Sequence, residues 1–485
     1  MSGKPTDALI ETLRDAAGRG ELHDFAPGLA DMDLDPANGA TWPPEREVAA
    51  ELLRSILLDP DLRPDPRGLR LRGALVTGIL DLDHVALPCP LVLIRSHFRQ
   101  TPTFEYATLP HLTLARCHLP GLSLNGARVD GGALLRGLTV TGEVRARGAQ
   151  ISGQLDLQDA TLTNDNGDAL SLDGARVGGG AFLRGLTATG EVRARGAQIT
   201  GQLGLQDATL TNDNGDALSL EALTVRALFL EGLRVEGRLN LTRAEIGDLV
   251  VDDSPVAGLP SPLFASGWQV QDMHGRLRRD RRSAATWLST QPVFVAQPWH
   301  ALADVYERNG QPADARRLRF DAARRTTKTA PPWSKPARWA YGLLVGYGYY
   351  PLTAAIWLVA ALIIASAVIA THTKTFVANN PLAAATAIAD SSKGTTTPAA
   401  RASPGGLTTV TGATACASLA NRYPCLRPLL FSLDVVLPPT VSAGQAAAWR
   451  PTANWIAYLL TGLKASGWML TALLLAGVTG LLRKV

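Results

Sequence analysis

Eight histidines and four cysteines bound the metal and thiol chemistry open to this chain of 485 residues. His97, His111, Cys117 and His118 fall in one region, and stacked coils of a repeat would bring them together as metal ligands. Their spacing fits no zinc-binding pattern, and turn and surface positions account for them more simply. "NDNGD" at 164–168, repeated at 212–216, offers carboxylate and amide oxygens suited to calcium. It lacks the long loop and closing glutamate of an EF-hand, so a protruding Asn-Gly turn is the simpler reading. "RAR" at 145–147 and 193–195 points Arg145, Arg147, Arg193 and Arg195 outward. Stacking would align them as a basic face for a protein or anionic partner, unless Glu143, Asp156 and Asp159 balance it.

Cys416 and Cys425 flank "ASLANRYP" and could close a local disulfide in an oxidising compartment; the alternative is two unpaired thiols. Cys89 and Cys117 read as reduced thiols. Asp434 in "FSLDVVLP" and Lys464 in the last apolar stretch are the charges most out of place. A charge inside a membrane is a functional position by default, whereas one at the interface is not. A third reading makes 429–441 an interfacial or re-entrant segment. There is no G-x-G-x-x-G between strand and helix, P-loop, H-E-x-x-H, C-x-x-C or G-x-S-x-G. No catalytic, cofactor or metal residue is therefore assigned, and no cofactor is expected.

The elements that would position these residues come from a duplication. Gly126–Asp173 recurs in tandem as Gly174–Glu221. The copies differ at Asp130/Gly178, Leu134/Phe182, Val140/Ala188, Ser152/Thr200, Asp156/Gly204 and Asp173/Glu221. Self-similarity at a fixed period marks a solenoid. Within each copy, "GQLDLQD" and "GEVRARG" alternate apolar and polar residues over a few positions, which predicts short strands. Gly132, Gly142, Gly153 and Gly167 precede such runs and read as corners. The expected fold is mainly β: a right-handed parallel β-helix with two or more short strands per coil, each copy being a whole number of coils.

The expected organisation is N-terminal helices capping the solenoid (1–66), the β-helix (67–252) with the duplication at 126–221, and a basic helical hairpin linker (253–338). A first transmembrane region (339–372), an external loop (373–453) and a second transmembrane region (454–485) follow. "PLTAAIWLVAALIIASAVIA" (351–370) is uncharged and long enough to span a bilayer. The second span is expected from about Ser466 to Leu482, with Lys464 snorkelling or facing the protein. The N-terminus lacks the apolar core of a signal peptide. Arginine and lysine concentrate before the first span and after the second. The solenoid and C-terminus are thus expected in the cytoplasm, on a multi-pass protein of the cell membrane. The external loop is rich in Ser, Thr, Ala, Gly and Pro, a composition that predicts disorder. Membrane lipid and either a protein partner or self-assembly are the expected partners; nucleic acid is not. The arginines of "ARRLRFDAARRTTK" adjoin the first span and could meet anionic lipid or simply be solvated.

"GLRLRGALVTGILDLDHVALPCPLVLIRSHF", the "GQLDLQDATL" coils, "QPWHALADVYERNGQPADARRLRFDAARR", "GYGYYP", "YPCLRPLLFSLDVVLP" and "GWMLTALLLAGVTGLLRK" occur in that order. Together they resemble a family of bacterial, largely actinobacterial, two-span membrane proteins with N-terminal β-helical repeats, often named "membrane-associated oxidoreductase". The resemblance implies a cytoplasmic β-helix on a membrane hairpin. The family name implies redox chemistry, for which Cys89, Cys117, Cys416 and Cys425 are the redox-capable thiols. Three functions follow as expectations: a membrane-anchored scaffold without catalysis, an oxidoreductase, or a subunit of an oligomeric channel or transport assembly with Asp434 and Lys464 along its pathway.

Overall fold

A computed structural model describes residues 4–30, 34–253, 258–381, 383–384, 411–412, 423–438 and 444–479. The chain divides into two units, Met1–Ala322 and Ala323–Val485.

The first unit is a β-solenoid of about nine turns. All of its strand pairs are parallel, and the strands stack coil upon coil. One column runs Leu69, Leu91, Leu112, Ala133, Leu155, Ala181, Leu203, Leu228 and Leu249 in direct register. Every one of these side chains is buried. Each buried leucine contributes about 1.5–3 kcal/mol relative to exposure, and stacking gives that burial to strands too short to achieve it singly.

The register explains the duplication. Leu155 pairs with Ala181 and Ala181 with Leu203, so a longer coil is followed by a shorter one. Leu203 is the counterpart of Leu155 in the second copy, so one longer and one shorter coil make up the repeating unit. The longer coil holds "NDNGD" as a bulge. Between Thr163 and Asp168 five steps along the chain face two on the neighbouring strand, Thr189 to Glu191.

The corners differ from the sequence expectation. None of Gly132, Gly142, Gly153 and Gly167 has a left-handed backbone. Positive φ at the corners of the copies falls instead on Gly126, Gly137, Gly148, Gly174, Gly185 and Gly196, with Asp159 and Asp207 in the same role, and away from the corners on Gly190. Each corner position is the third residue of a turn closed by an i to i+3 hydrogen bond, as from Ala149 N–H to Ala146 O at 3.2 Å. Gly142 and Gly153 serve a different need. A Cβ at Gly142 would lie 2.4 Å from Pro120 O, and one at Gly153 2.8 Å from Gly131 O. They are glycine because adjacent coils approach there.

Two boundaries also move. Leu22–Asp24 pairs with the first full coil at Arg70–Arg72, and Glu47–Ala49 pairs with Leu75–Thr77. The segment 1–66 therefore supplies strands as well as helices. Its helices Lys4–Arg19 and Ala50–Leu57 bury Leu13, Ala17, Leu53 and Ile56 in the solenoid core. At the other end, Leu263–Phe264 and Gln269–His274 form further strands, past the expected end at 252. The alternation continues in "QVQDMH" but is short and stands alone beyond a run rich in proline and glycine.

Helix Gln297–Arg308 closes the last strand. Gln297 Nε2 donates to Trp268 O, and its Oε1 accepts from Gly267 N–H, both at 2.8 Å. Arg308 donates to Val270 O at 2.9 Å and to Gln271 O at 2.7 Å. The helix is thus an edge cover, satisfying backbone groups that would otherwise template aggregation.

Asp280 caps helix Arg281–Leu288 through Arg282 and Ser283 N–H at 2.9 and 3.0 Å. The Ser283 hydroxyl, donating at 2.6 Å, and these amides hold the Asp280 carboxyl below its ordinary 3.8. A depressed folded value makes this stabilisation complete above pH 3.8 and lost as pH falls through the folded value. Asp280→Ala is expected to cost about 1 kcal/mol at neutral pH. The gap to the parent chain should close under acid, as read from denaturation midpoints across a pH series.

The second unit contains helices Lys335–Val345, Leu352–Thr371, Pro428–Val436 and Asn454–Val478. Leu352–Thr371 and Asn454–Val478 are long and apolar enough to cross a membrane. They form an antiparallel hairpin. His372 meets Trp455 at one end with ring centroids 5.1 Å apart. At the other end Gly477 faces Pro351 so closely that a Cβ would lie 2.4 Å from the proline Cβ. From Trp455 to Gly477 the helix rises about 33 Å, matching the roughly 30 Å hydrocarbon core of a bilayer. Beyond the first helix, Phe376–Ala378 pairs antiparallel with Trp449–Pro451.

Candidate functional site

One face of the duplicated coils carries the four arginines singled out above. Ser123, Arg145, Ser171, Arg193, Ser219 and Asn240 are successive register partners. The serines are buried; guanidinium groups close over Ser171 and Ser219, while Ser123 Oγ donates to Glu105 Oε1 at 2.6 Å. Arg147 Nε donates to Ser171 Oγ at 2.8 Å, and Arg195 Nε to Ser219 Oγ at 3.1 Å. Buried hydroxyls and outward cations thus form one hydrogen-bonded column.

The column is not a bare basic face. Arg145 pairs with Glu143 at 2.8 Å. Arg147 pairs with Glu143 at 3.1 Å and Asp168 at 3.3 Å. Arg193 bridges Asp168 and Asp173, each at 2.9 Å, and Arg195 meets Glu191 at 2.6 Å. Each guanidinium therefore faces at least one carboxylate. Glu143 balances Arg145 and Arg147 from its own strand, as its spacing suggested, whereas Asp168 and Asp173 reach Arg193 from the neighbouring coil, a pairing legible only once the coil length was known. Burial pushes the Glu191 carboxyl up, against the pull of Arg195. Exposed pairs contribute about 0.2–1 kcal/mol each, so the ladder sets a charge pattern more than it stabilises. Asp156 pairs instead with Arg136 at 2.7 Å.

The other chemical candidates separate. His97 and His118 are register partners with rings stacked at 5.0 Å. His97 Nδ1 lies 2.8 Å from Pro36 O, while His111 Nδ1 accepts from Gly132 N–H at 3.1 Å. The Cys117 thiol is directed at Leu93 O, 3.5 Å away. These four do not form a metal-binding group; among the described residues the donors close enough to share an ion are Asp248, Asp272 and His274. That set escaped sequence reading because Asp248 and Asp272 lie a full coil apart in the chain but side by side in register. Asp272 is also engaged by Asn309 Nδ2 at 2.6 Å and by Arg278 at 3.5 Å. In the "NDNGD" bulges, Asn164 and Asn212 donate to Asp168 O and Asp216 O at 2.8 Å. Their side-chain amides therefore close the turn.

Burial raises the Cys89 thiol and pushes Cys117 up to about 12. Both are buried, so thiolate chemistry is suppressed at both. Cys425 is disulfide-bonded. Cys416 lies outside the described residues, as does the Ser- and Thr-rich stretch before it.

Asp434 lies near the end of the short helix Pro428–Val436, and its Oδ2 accepts from Ala446 N–H at 3.0 Å. Lys464 is not ahead of the second span helix but inside it, exposed, with Nζ 5.3 Å from the centre of the Trp468 ring. The short helix terminates against the middle of the long one. A Cβ at Gly467 would lie 2.2 Å from Val436 O, and Trp468 Nε1 donates to Leu437 O at 3.3 Å. Gly467 is about 18 Å along the helix from Trp455.

No protein-family model and no curated protein matches the sequence.

Proposed function

We propose that the protein is a membrane-anchored scaffold whose β-solenoid presents the ladder at Arg145, Arg147, Arg193 and Arg195 to a protein partner. The observation that carries this is the repetition of the ladder itself. The duplication copies Glu143, Arg145, Arg147 and Asp168 as Glu191, Arg193, Arg195 and Asp216 without change of residue type. It thereby extends one surface of alternating charge, with Arg145, Ser171, Arg193 and Ser219 as successive register partners. Such a surface gives specificity and orientation by charge complementarity more than raw affinity. The solenoid thiols are poorly placed for the oxidoreductase reading, being buried and held protonated. In this proposal the solenoid lies in the cytoplasm, the side to which the arginines and lysines flanking the two apolar helices assign it.

The test places a photo-crosslinking residue at Arg195 on the ladder and at Arg226 on another face, in intact cells. A discrete adduct from position 195 and none from 226 supports the scaffold. Equal labelling, or none, removes it. A membrane-impermeant maleimide used before and after lysis, and with denaturant, checks the side on which Cys89 and Cys117 lie.

A second reading, a subunit of an oligomeric channel or transport assembly, is favoured by the short helix ending at the middle of the hairpin. In a chain that crosses a bilayer, backbone at that depth is tolerated where protein covers it or water lines it. Lys464, exposed about 14 Å from the Trp455 end, has the same requirement. Two spans per chain cannot supply that cover, so further copies would. A strictly monomeric protein in nanodiscs would sink this reading.

A further inference from the structure

The segment ahead of the first span helix has the opposite electrostatic character to the ladder. No aspartate or glutamate occurs between Asp321 and Asp390, whereas Arg324, Arg325, Lys328, Lys335 and Arg338 lie close together. Arg324, Lys328, Lys335 and Arg338 are exposed and form no ion pair among the described residues. Interleaved with them are Trp333, 84 % exposed, and Trp339, 64 % exposed.

Thr327, Lys328, Lys335, Pro336 and Trp339 line a recess of about 460 Å³ between two successive helices. Lys335 opens the helix Lys335–Val345, where the helix dipole disfavours a cation. The N-cap Ser334 makes no capping bond there; its hydroxyl donates to Pro331 O at 3.0 Å. Lys328, Lys335 and the start of this helix thus border one recess with no carboxylate among its lining residues. An anion in the recess satisfies all three and relieves the misplaced lysine.

We propose that this recess holds the phosphate of an anionic phospholipid headgroup, with Lys328 and Lys335 as its ligands and Trp339 as its wall. Free phosphate shares that chemistry, but it does nothing for the two exposed indoles. Tryptophan with a wet edge and an apolar body belongs at the membrane interface, and basic residues beside a span draw acidic lipid. The inference rests on the reading of Leu352–Thr371 and Asn454–Val478 as membrane spans.

The experiment is native mass spectrometry of the full chain in mild detergent, titrated with phosphatidylglycerol or phosphatidylcholine. Each lost near-surface charge weakens acidic-lipid binding about fivefold, so Lys328→Gln with Lys335→Gln should weaken it about thirtyfold. Both side chains are exposed and outside any ion pair among the described residues, so the fold, followed by circular dichroism, should not change. No preference for phosphatidylglycerol, or a preference that survives the double variant, overturns the proposal. So does inorganic phosphate that displaces the lipid from the recess as readily as phosphatidylglycerol fills it. Alkaline carbonate extraction separates the two failures. A chain that stays in the membrane without lipid preference has lost only the headgroup site; a chain released by carbonate has lost the spans as well.

Discussion

Gly178→Asp, which restores the residue of the first copy, should destabilise the solenoid by about 3 kcal/mol or more, whereas Asp130→Gly should cost about 1 kcal/mol or less. The two positions are equivalent in sequence but not in surroundings. A Cβ at Gly178 would lie 2.3 Å from Ser152 O, a backbone atom of the preceding coil that cannot swing aside. At the first copy the close approach falls one residue after Asp130, at Gly131, where a Cβ would lie 2.7 Å from Pro110 O. The asymmetry arises because the coil beneath Gly178 belongs to the first copy, while the coil beneath Asp130 lies outside the duplication. Gly178→Ala separates the steric cause from the charge and should already carry most of the loss. Chemical denaturation of the full chain in detergent, followed by circular dichroism, reads the difference. Equal costs at 130 and 178 would show that the coils are not stacked in this register.

Legibility followed the physical range of each signal. Alternation in "GQLDLQD" is local, and it correctly announced short parallel strands with Leu155 and Leu157 inside. The span-length helices were legible because length and apolarity suffice to mark them. The corners were misassigned because glycine answers two demands that look identical in sequence. Gly148 is left-handed, while Gly142 is close to Pro120 O with an ordinary backbone. The balance of the basic face was legible in part, since Glu143 does pair with Arg145 and Arg147. Arg193 finds Asp168 and Asp173 only because a longer and a shorter coil alternate, and coil length is a property of stacking. Lys464 was set ahead of a span expected to begin near Ser466, whereas the helix there runs continuously from Asn454, since one lysine does not end a helix.

The differences between the copies also read as packing. Leu134 becomes Phe182 where Asp156 becomes Gly204, and Phe182 is the register partner of both Asp156 and Gly204. A larger ring enters the column as a side chain leaves it. The ion pair of Arg136 with Asp156 at 2.7 Å is correspondingly replaced by a looser one, Arg184 with Asp207 at 3.8 Å. By contrast, none of the ladder residues Glu191, Arg193, Arg195 and Asp216 differs from its counterpart. Drift in the column was met by its register partner, and on the charged face the change is conservative, Asp173, which pairs with Arg193, becoming Glu221.

Excision should separate architecture from activity most sharply. Removing Gly174–Glu221 joins Asp173 to Ala222, whose present neighbour Glu221 is the counterpart of Asp173. Every remaining strand then meets a surface nearly identical to the one it lost, so the shortened chain should fold cooperatively. Its denaturant dependence should fall with the buried surface. The matching single-coil cut is 174–195, which brings Gly196 to the left-handed corner of Gly174. It removes as much chain as separates Ala181 from Leu203, one shorter coil, and should also fold. Extending it by one position, to 174–196, removes the corner glycine and shifts the side chains that follow by one. Ala197, Ile199, Leu203 and Leu205, all buried, would turn outward. At about 1.5–3 kcal/mol for each large side chain, such exposures with the lost corner consume most of the roughly 5–15 kcal/mol that holds a domain together. The longer cut should therefore lose its cooperative transition, and limited proteolysis should show no protected core. If instead both cuts behave alike, stacking does not set the register. In the folded chain that lacks the whole second copy, the crosslink from the remaining ladder at Arg147 should persist although the ladder is half as long. A site built across coils on both sides of the duplication would lose its geometry altogether.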